Sequence, residues 1–445
     1  MKNLRTAFRL LYLSLIWCCM VAFPAHGQFK SPNVDGIKPT DYTNPRQDTI
    51  FIFNQKPVEK KGHLSLEYHP VSASTVYKWY RYNYQNNAFE DTPFETITAA
   101  STEIDTLSQG GYMVKVESGA ERDSFVAWVY LNPCFELKLQ KNNNGAVYPN
   151  HRFCDRTDFW IDSNTPVQQS SFTYYNPISK MRYMLDNVIS FTARQGTGVP
   201  LQATLRSQGG QQYFRIYTPP SQDTKFYFRG EDISGWEQND EIMYETILPQ
   251  AKMTVELPEV DPTSAPIEAK FTSQSENATE YLWRFGDGDS VMYQRGDIIP
   301  DTVKHIYTIP NEKPYTAILF VTSIYQCTDS ASKEITVSPS KLDRPNVFTP
   351  NGDGINDYFK PENLSIRRFE LSIYTRSGRR VYHHKGADLR SWQGWDGRIE
   401  NGGKNAAEGV YYFVLRATGW DDVDYGWKKK DKSSSVYKGF VYLYR

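Results

Sequence analysis

The side chains in this sequence that could carry out chemistry are few and scattered. Beyond the N-terminal segment, the histidines are His63, His69, His151, His305, His383 and His384. A Cys154–His151 nucleophile pair is disfavoured because residues three apart on a strand point to opposite faces. The sequence contains no H-E-x-x-H, G-x-S-x-G, P-loop or G-x-G-x-x-G motif. These observations favour a protein that is not an enzyme.

Acidic side chains give no clearer catalytic pattern. Asp155, Asp158 and Asp162 lie close together in a short aromatic stretch. Their spacing corresponds to no known catalytic or metal geometry, so we interpret them as solvated loop charges. Paired carboxylates of the glycosidase type require only spatial proximity, and the sequence leaves them open.

Three cysteines follow the N-terminal segment: Cys134, Cys154 and Cys327. In an oxidising compartment such cysteines pair, and we expect a Cys134–Cys154 disulfide. The thiols lack a C-x-x-C pair and histidines at zinc-finger spacing, so we predict no metal site from them.

The first 27 residues have the pattern of a cleaved signal peptide. Lys2, Arg5 and Arg9 precede an apolar run over 10–23, and small residues at Ala25 and Gly27 predict cleavage before Gln28. A retained anchor would need roughly 20 apolar residues. No later apolar stretch has spanning length, so we expect no transmembrane segment after cleavage.

Composition predicts an all-β fold. The 445 residues include 31 Tyr, 24 Phe and 10 Trp, which suit half-buried strands. With 50 basic and 51 acidic residues the net charge is −1, so we expect no nucleic-acid partner. A chain of this length divides into several cores, and we predict a string of Ig-like and PKD-like β-sandwich domains.

Turn-forming residues divide the N-terminal half. We predict a polar tether over 28–47, an Ig-like β-sandwich over 48–132 with Trp79 in its core, and a β-rich, Ig-like domain over 133–258. Tyrosines of one predicted strand are candidates either for contacting a glycan or protein or for packing a strand face; they are Tyr80, Tyr82 and Tyr84.

A third domain is predicted over 261–338 from a specific motif. A strand carrying Trp283 and Phe285 runs into a turn with Gly286, Asp287 and Gly288, and His305 and Tyr307 follow. These elements resemble the signature of PKD domains. The resemblance implies an extracellular β-sandwich that spaces modules or binds partners without catalysis, with Asp287 as a turn carboxylate.

The last hundred residues contain a succession of tight turns and apolar strands. Asn346 to Asp357 read N-V-F-T-P-N-G-D-G-I-N-D, a hairpin follows over 369–382, and Trp395-Asp396-Gly397 precedes the apolar run 410–415. A final strand, 440–444, ends near the terminus. This succession predicts a compact β-sandwich.

These blocks, in this order over 339–445, resemble the gliding-motility-associated C-terminal domain, the type B sorting domain of the type IX secretion system of Bacteroidota. Ser377 departs from the pattern, since the family usually has Trp there. The resemblance implies export through the periplasm to the outer-membrane surface or medium, with components of the type IX translocon as partners.

Two stretches are candidates for recognition by that machinery, together with the tryptophan turn. A terminal strand offers an edge for β-augmentation, although the same residues are also ordinary fold determinants. The candidates are Asn351, Gly352, Asp353, Gly354, Asn356, Asp357, Trp395, Asp396, Gly397, Gly439, Phe440, Val441 and Arg445.

We expect no cofactor, and calcium only at a weak or incomplete site. The turn after Pro350 has glycines and acids as calcium loops do, but Thr349 occupies the first ligand position and Lys360 the position of the bidentate Glu.

The sequence as a whole predicts an exported, non-catalytic protein whose N-terminal modules bind an unknown protein or glycan. The alternative is a secreted hydrolase of glycans or peptides carrying the same tail.

Overall fold

The computed structural model describes residues 27–43, 46–387, 389, 392–400, 402–425 and 437–445, so the predicted signal peptide lies outside it except for Gly27. The described chain is all-β, as predicted. It divides into an N-terminal unit, up to Pro219 with Asp223–Glu245, and a C-terminal unit, Pro220–Gln222 with Thr246–Arg445. In the described part, no helix has the length and apolarity that crossing a membrane requires.

The first domain of the N-terminal unit has ten strands. They are β1 Gly27–Lys30, β2 Gly36–Pro39, β3 Thr49–Asn54, β4 Gly62–Tyr68, β5 Val76–Asn83, β6 Ala88–Phe89, β7 Glu95–Thr98, β8 Ser101–Leu107, β9 Gly110–Ser118 and β10 Glu121–Asn132. One sheet has the order β1-β4-β8 and the other β2-β3-β10-β9-β5-β6, with β7 beside β5. Inward side chains alternate along β4 and β9, so that Leu66, Val114 and Val116 pack around the fully buried Trp79.

The prediction of a tether over 28–47 is wrong. β1 pairs with β4 and β2 pairs with β3, which places both strands in the sandwich. Tyr42, which follows β2, is 3% exposed. An edge strand is held by backbone pairing to one neighbour and by one buried face, so it needs few apolar residues. The polar composition of 28–47 therefore gave no sign of these two strands.

The second domain has nine strands and one short 3₁₀ helix, Pro149–His151. The strands are β11 Arg156–Trp160, β12 Ser171–Tyr175, β13 Arg182–Asp186, β14 Ser190–Gln195, β15 Leu201–Ala203, β16 Leu205–Gln208, β17 Gln211–Tyr217, β18 Thr224–Glu231 and β19 Glu237–Tyr244. They form the sheets β11-β17-β16 and β15-β14-β18-β19 and the hairpin β12-β13. Phenylalanines from both larger sheets, including Phe159, Phe214 and Phe228, fill the core.

The hairpin joins the two domains of the N-terminal unit. Phe172 and Tyr174 of β12 pack against Trp128 and Tyr130 of β10 in one buried cluster. Tyr82 stacks on Tyr175 with ring centroids 5.4 Å apart. Tyr80 and Tyr82 are therefore buried packing residues and not ligand contacts, whereas Tyr84 is 41% exposed.

The third domain begins earlier than predicted. Its strands are β20 Met253–Glu256, β21 Ile267–Ser273, β22 Glu280–Arg284, β23 Ser290–Tyr293, β24 Val303–Tyr307, β25 Tyr315–Thr322 and β26 Thr328–Ile335. They form the sheets β20-β21-β24 and β23-β22-β25-β26. Because β20 pairs with β21, residues 246–258 belong with this domain, and the predicted end of the second domain at 258 is wrong.

The fourth domain has eight strands in the described residues. They are β27 Lys341–Asp343, β28 Val347–Phe348, β29 Glu362–Leu364, β30 Ile366–Tyr374, β31 Arg380–Gly386, β32 Gly409–Gly419, β33 Asp424–Tyr425 and β34 Tyr437–Leu443. The main sheet has the order β28-β34-β32-β30-β31, with β33 beside β32. The core of the domain includes the buried side chains of Trp395, Phe413 and Val441.

The predicted Cys134–Cys154 disulfide is wrong. Cys134 is a free, buried thiol whose Sγ lies 3.5 Å from the carbonyl oxygen of Asn132. Cys154 lies on an exposed loop and is disulfide-bonded, so it does not pair with Cys134. Cys134 is buried whereas Cys154 lies at the surface, a difference that sequence spacing does not reveal.

Candidate functional site

The glycine-rich turn of the fourth domain is held together by its own side chains. Asp357 accepts hydrogen bonds from the N–H groups of Gly352, at 2.7 Å, and Gly354, at 2.8 Å. Asp353 accepts from the N–H of Ile355 at 2.8 Å and from Nδ2 of Asn351 at 2.9 Å. Each carboxylate oxygen is thus already engaged, and the geometry favours a turn-forming role over a calcium loop.

Charge on one of these carboxylates is stabilised locally. The Ile355 N–H, with help from Asn351, lowers the pKa of Asp353 below its ordinary value. Positive φ values at Gly352 (84°), Gly354 (85°) and Asn356 (54°) explain why glycine and asparagine occupy this turn.

The tryptophan turn and the last residue lie together. The buried Trp395 exchanges backbone hydrogen bonds with Phe359, and its Nε1 donates to the carbonyl of Arg398 at 2.7 Å. The Arg445 guanidinium donates to the carbonyl of Gly397 at 2.8 Å and to that of Ala406 at 2.7 Å. The Arg445 side chain thus links the tryptophan turn to the loop that contains Ala406. Asp396 accepts a hydrogen bond from the Arg398 N–H and completes this turn.

The last strand is paired unequally on its two sides. β34 pairs with β32 along its whole length, whereas β28 pairs with it only at Tyr442 and Leu443. Within the described residues, the stretch 437–441 has no strand partner on the β28 side. Among the described residues, this part of the edge thus lacks a strand partner, although the Arg344 guanidinium donates to the Lys438 carbonyl at 3.3 Å.

An aromatic ladder lies on the outer face of this sheet, and sequence reasoning had missed it as a surface. Along β34, Val441 and Leu443 are buried, while their neighbours point outward. Four outward aromatic side chains are between 38% and 52% exposed: Tyr412, Phe440, Tyr442 and Tyr444. The available signal was the alternation itself, because a one-sided strand would have polar residues at these positions.

The ladder is continuous from strand to strand. Tyr412 and Phe440 are cross-strand partners. The ring of Tyr442 lies 5.6 Å from that of Phe440 and 6.0 Å from that of Tyr444. A contiguous exposed apolar surface is a candidate interaction site, and this aromatic ladder is one.

The predicted signature of the third domain forms one packed assembly. The Phe285 ring stacks on His305 at 4.1 Å, and the Tyr307 hydroxyl donates to the carbonyl of Phe285 at 2.9 Å. Trp283 is buried beside Phe271. A Cβ at Gly286 would lie 2.7 Å from the carbonyl oxygen of Thr316, so only glycine fits there.

Two acids of this signature meet its histidine. Asp287 Oδ2 lies 2.6 Å from His305 Nε2, and ligand atoms of Asp287, Asp289 and His305 all lie within 4.8 Å of one another. Such a group could hold a metal ion by geometry, although calcium prefers oxygen ligands. The Asp287–His305 contact also holds the turn against β24. Gly288, with φ of 107°, continues the turn.

The three acids Asp155, Asp158 and Asp162 each have a different partner. Asp158 is buried on β11 and forms a bidentate ion pair with Arg215 at 2.7 and 2.8 Å, so its interpretation as a solvated loop charge is wrong. Asp155 contacts Arg156, while Asp162 accepts the N–H of Asn164. Because Cys154 is disulfide-bonded, the Cys154–His151 nucleophile pair has no free thiol.

Comparison with solved structures gives very low similarity over much of the chain. The tetra-tandem repeat in the extending region of a large adhesion protein is 10% identical, covers 88% of this chain and 99% of its own, and has a TM-score of 0.23. The eight N-terminal Ig domains of Down syndrome cell adhesion molecule are 11% identical to this chain, and the TM-score is 0.29. The match covers 89% of this chain and 53% of that chain. Fibronectin(III)-like modules of Clostridium thermocellum CbhA are 11% identical to this chain, and the TM-score is 0.23. The match covers 49% of this chain and 93% of that chain.

Comparison with protein families concerns the fourth domain. No curated protein matches the chain. The matched segment, 342–443, contains the glycine-rich turn, the tryptophan turn and the aromatic ladder up to Tyr442. Residues 342–443 match the CHU_C type IX secretion signal domain, and a signal of this type implies export across the outer membrane to the cell surface or the medium.

Proposed function

We propose that this chain is a non-catalytic protein of the cell surface or medium, in which the fourth domain directs export and the N-terminal unit binds a ligand. The observation that carries the proposal is the match of 342–443 to a type IX secretion signal domain. That segment coincides with one compact β-sandwich, which is suited to recognition as a folded module.

The secretion machinery contacts the aromatic ladder together with the open part of the β34 edge. Tyr412, Phe440 and Tyr442 offer apolar area outside the core, and such side chains contribute strongly to protein interfaces. Arg445 and the Asn351–Asp357 turn support this surface by holding the sheet and its loops in place.

The third domain acts as a PKD-like spacer without catalytic activity. Support comes from the stacking of Phe285 on His305 and from the Asp287–His305 contact, which tie the turn to β24. These contacts give Phe285, Asp287 and His305 packing roles that need no catalytic function.

Export tests the proposal directly. The full-length protein and a truncation ending at Ser338 are expressed in a host with a type IX system, then followed by fractionation and surface protease digestion. We expect the full-length protein at the surface or in the medium, and the truncation in the periplasm. Equal export of both would refute a sorting role for the fourth domain.

Variants separate the aromatic ladder from the domain as a whole. Phe440→Thr with Tyr442→Thr keeps strand propensity and should hold folded protein in the periplasm. The matched control replaces Met292 and Ile306, which are 51% and 52% exposed on the third domain, by Thr. Normal export of the ladder variant would place recognition elsewhere in the fourth domain.

A further inference from the structure

The second domain contains a cleft on the outer face of one sheet. Its volume is about 570 Å³, and its lining includes Thr192, Arg194, Pro200, Tyr227 and Asn239. β14 and β18 alternate strictly here, with phenylalanines directed into the core and these polar and aromatic side chains outward. The cleft is therefore a product of strand alternation and lies wholly within the N-terminal unit.

Cross-strand register assembles the floor of the cleft. Arg194 faces Tyr227, and Tyr227 faces Glu241 on the next strand. In the adjacent row, Thr192 faces Arg229, and Arg229 faces Asn239. Neighbouring positions on one sheet face lie close enough for their side chains to meet a common ligand.

One positive charge in this cleft is uncompensated. Glu241 pairs with Lys225 at 2.5 Å, Asp240 pairs with Lys141 at 2.6 Å, and Arg229 pairs with Glu231 at 3.0 Å. Arg194 has no carboxylate within 4.0 Å among the residues that the structure describes. Its guanidinium instead lies 4.3 Å from the centre of the Tyr227 ring.

Stacking on Tyr227 leaves the hydrogen-bonding edges of the Arg194 guanidinium available. A planar, fixed guanidinium matches a carboxylate in a two-pronged contact. Beside it, the Thr192 hydroxyl and the Asn239 amide have no side-chain partner in the described part of the chain. Arg229, Asp240 and Glu241 also line the cleft, but each is ion-paired. The cleft thus presents one cation without a carboxylate partner, neutral hydrogen-bonding groups and the apolar ring of Pro200.

We propose that this cleft binds a glycan containing uronic acid. The sugar carboxylate pairs with Arg194, its hydroxyls bond to Thr192 and Asn239, and a C–H face packs on Pro200. A peptide fits less well, because β14 and β18 are interior strands whose backbones are paired on both sides. The inference rests on the proposed ligand-binding role of the N-terminal unit.

The test is calorimetric titration of the purified mature chain with a tetramer of galacturonic acid and with its methyl ester. We expect binding of the acid, and at least tenfold weaker binding of the ester, since loss of one charge-assisted contact has about that effect. Arg194→Gln should weaken binding of the acid to the same extent, and Arg194→Lys should weaken it less.

A matched control is Arg81→Gln, because Arg81 lies 4.3 Å from the Phe94 ring in the first domain and outside the cleft. Circular dichroism reports whether each variant folds. Absence of binding to the acid, equal binding of the ester, or unchanged binding by Arg194→Gln would each overturn the proposal. Because the assay uses purified protein, its failure is distinct from a failure of export.

Discussion

At the residue scale, the first domain contains a buried carboxyl group in a polar chain of three side chains. The Tyr42 hydroxyl donates to Asp48 Oδ2 at 2.8 Å and accepts from Trp128 Nε1 at 2.9 Å. Burial raises the pKa of Asp48 to about 6, although the hydrogen bond from Tyr42 and the charge of Arg46 act to lower it.

This raised pKa makes the stability of the first domain depend on pH. The folded state binds the Asp48 proton more tightly than the unfolded state, whose pKa is about 3.9. The stabilisation is thus complete below about pH 4 and is lost as pH rises through the folded pKa of about 6. At neutral pH the loss amounts to about 3 kcal/mol.

Asp48→Asn removes this titration while keeping an oxygen acceptor for Tyr42. We expect the variant to be more stable than the natural chain by about 1–3 kcal/mol at neutral pH, with little difference at about pH 4. Urea titrations followed by pulsed hydrogen exchange of β3 and β10 measure it. Asp105→Asn, at an exposed position, is the control. Parallel pH profiles for the natural chain and Asp48→Asn would contradict the assignment.

Sequence reasoning identified buried residues whose burial follows from their own strand, and it missed those buried by distant parts of the chain. Trp79 and Trp283 were predictable as core residues, because alternation within their own strands determines the buried face. Tyr82 was not, because the face it occupies is covered by Tyr175, about ninety positions later in the chain. Local periodicity records that a face is apolar but not what covers it.

At the element scale, glycines of the fourth domain serve two different purposes. A Cβ at Gly439 on β34 would lie 2.5 Å from the ring of Phe413, which is 1% exposed and cannot move aside. A Cβ at Gly352 would meet nothing within 4 Å, and only its φ of +84° opposes a side chain. Close packing fixes the first glycine and backbone conformation the second.

We expect Gly439→Ala to destabilise the fourth domain by about 2–3 kcal/mol, as overpacking of a core does. Gly352→Ala should cost only about 1 kcal/mol, the strain of a left-handed residue. Urea unfolding monitored by pulsed exchange of β32 measures both variants. A larger effect at Gly352 would indicate that the glycine-rich turn contributes packing that its open surroundings do not suggest.

The strands themselves were the most predictable elements, and the errors concern their pairing. β30, β32 and β34 follow alternating or continuous apolar runs, and the resemblance of their turns was specific. β1 was assigned to the polar tether and β20 to the second domain, because neither short strand shows in the local sequence which strand it pairs with. Their partners, β4 and β21, lie elsewhere in the sequence, and pairing with them is a long-range property.

At the scale of the whole molecule, the secretion signal and the candidate ligand cleft lie in different domains. The fourth domain contains the matched secretion signal, and the second contains the cleft with the uncompensated Arg194. Length and turn spacing predicted that the chain divides into several β-sandwich cores, and the described residues form several separate sheets. The sequence did not indicate that the first two domains share a buried cluster, because those contacts join β10 with a hairpin of the next domain.

A buried polar network adds to that joint. Asn132 Nδ2 donates to Asn54 Oδ1 at 2.8 Å and to Asp232 Oδ2 at 2.7 Å, while Asn187 Nδ2 donates to Asn132 Oδ1 at 2.9 Å. All four residues are buried, with Asn132 completely so. Such a network stabilises one arrangement of the two domains because any loss leaves a buried group unsatisfied.

Asn132→Ala should therefore weaken both domains together. Asp232 would lose a donor while staying buried, so we expect a loss of about 2–4 kcal/mol. Hydrogen exchange should accelerate in β3 of the first domain and in β12 and β13 of the second. Asn142→Ala, which removes two hydrogen bonds within one turn of the second domain, should act only locally. If Asn132→Ala accelerates exchange in one domain alone, the two domains unfold independently and the network is not the joint that its geometry indicates.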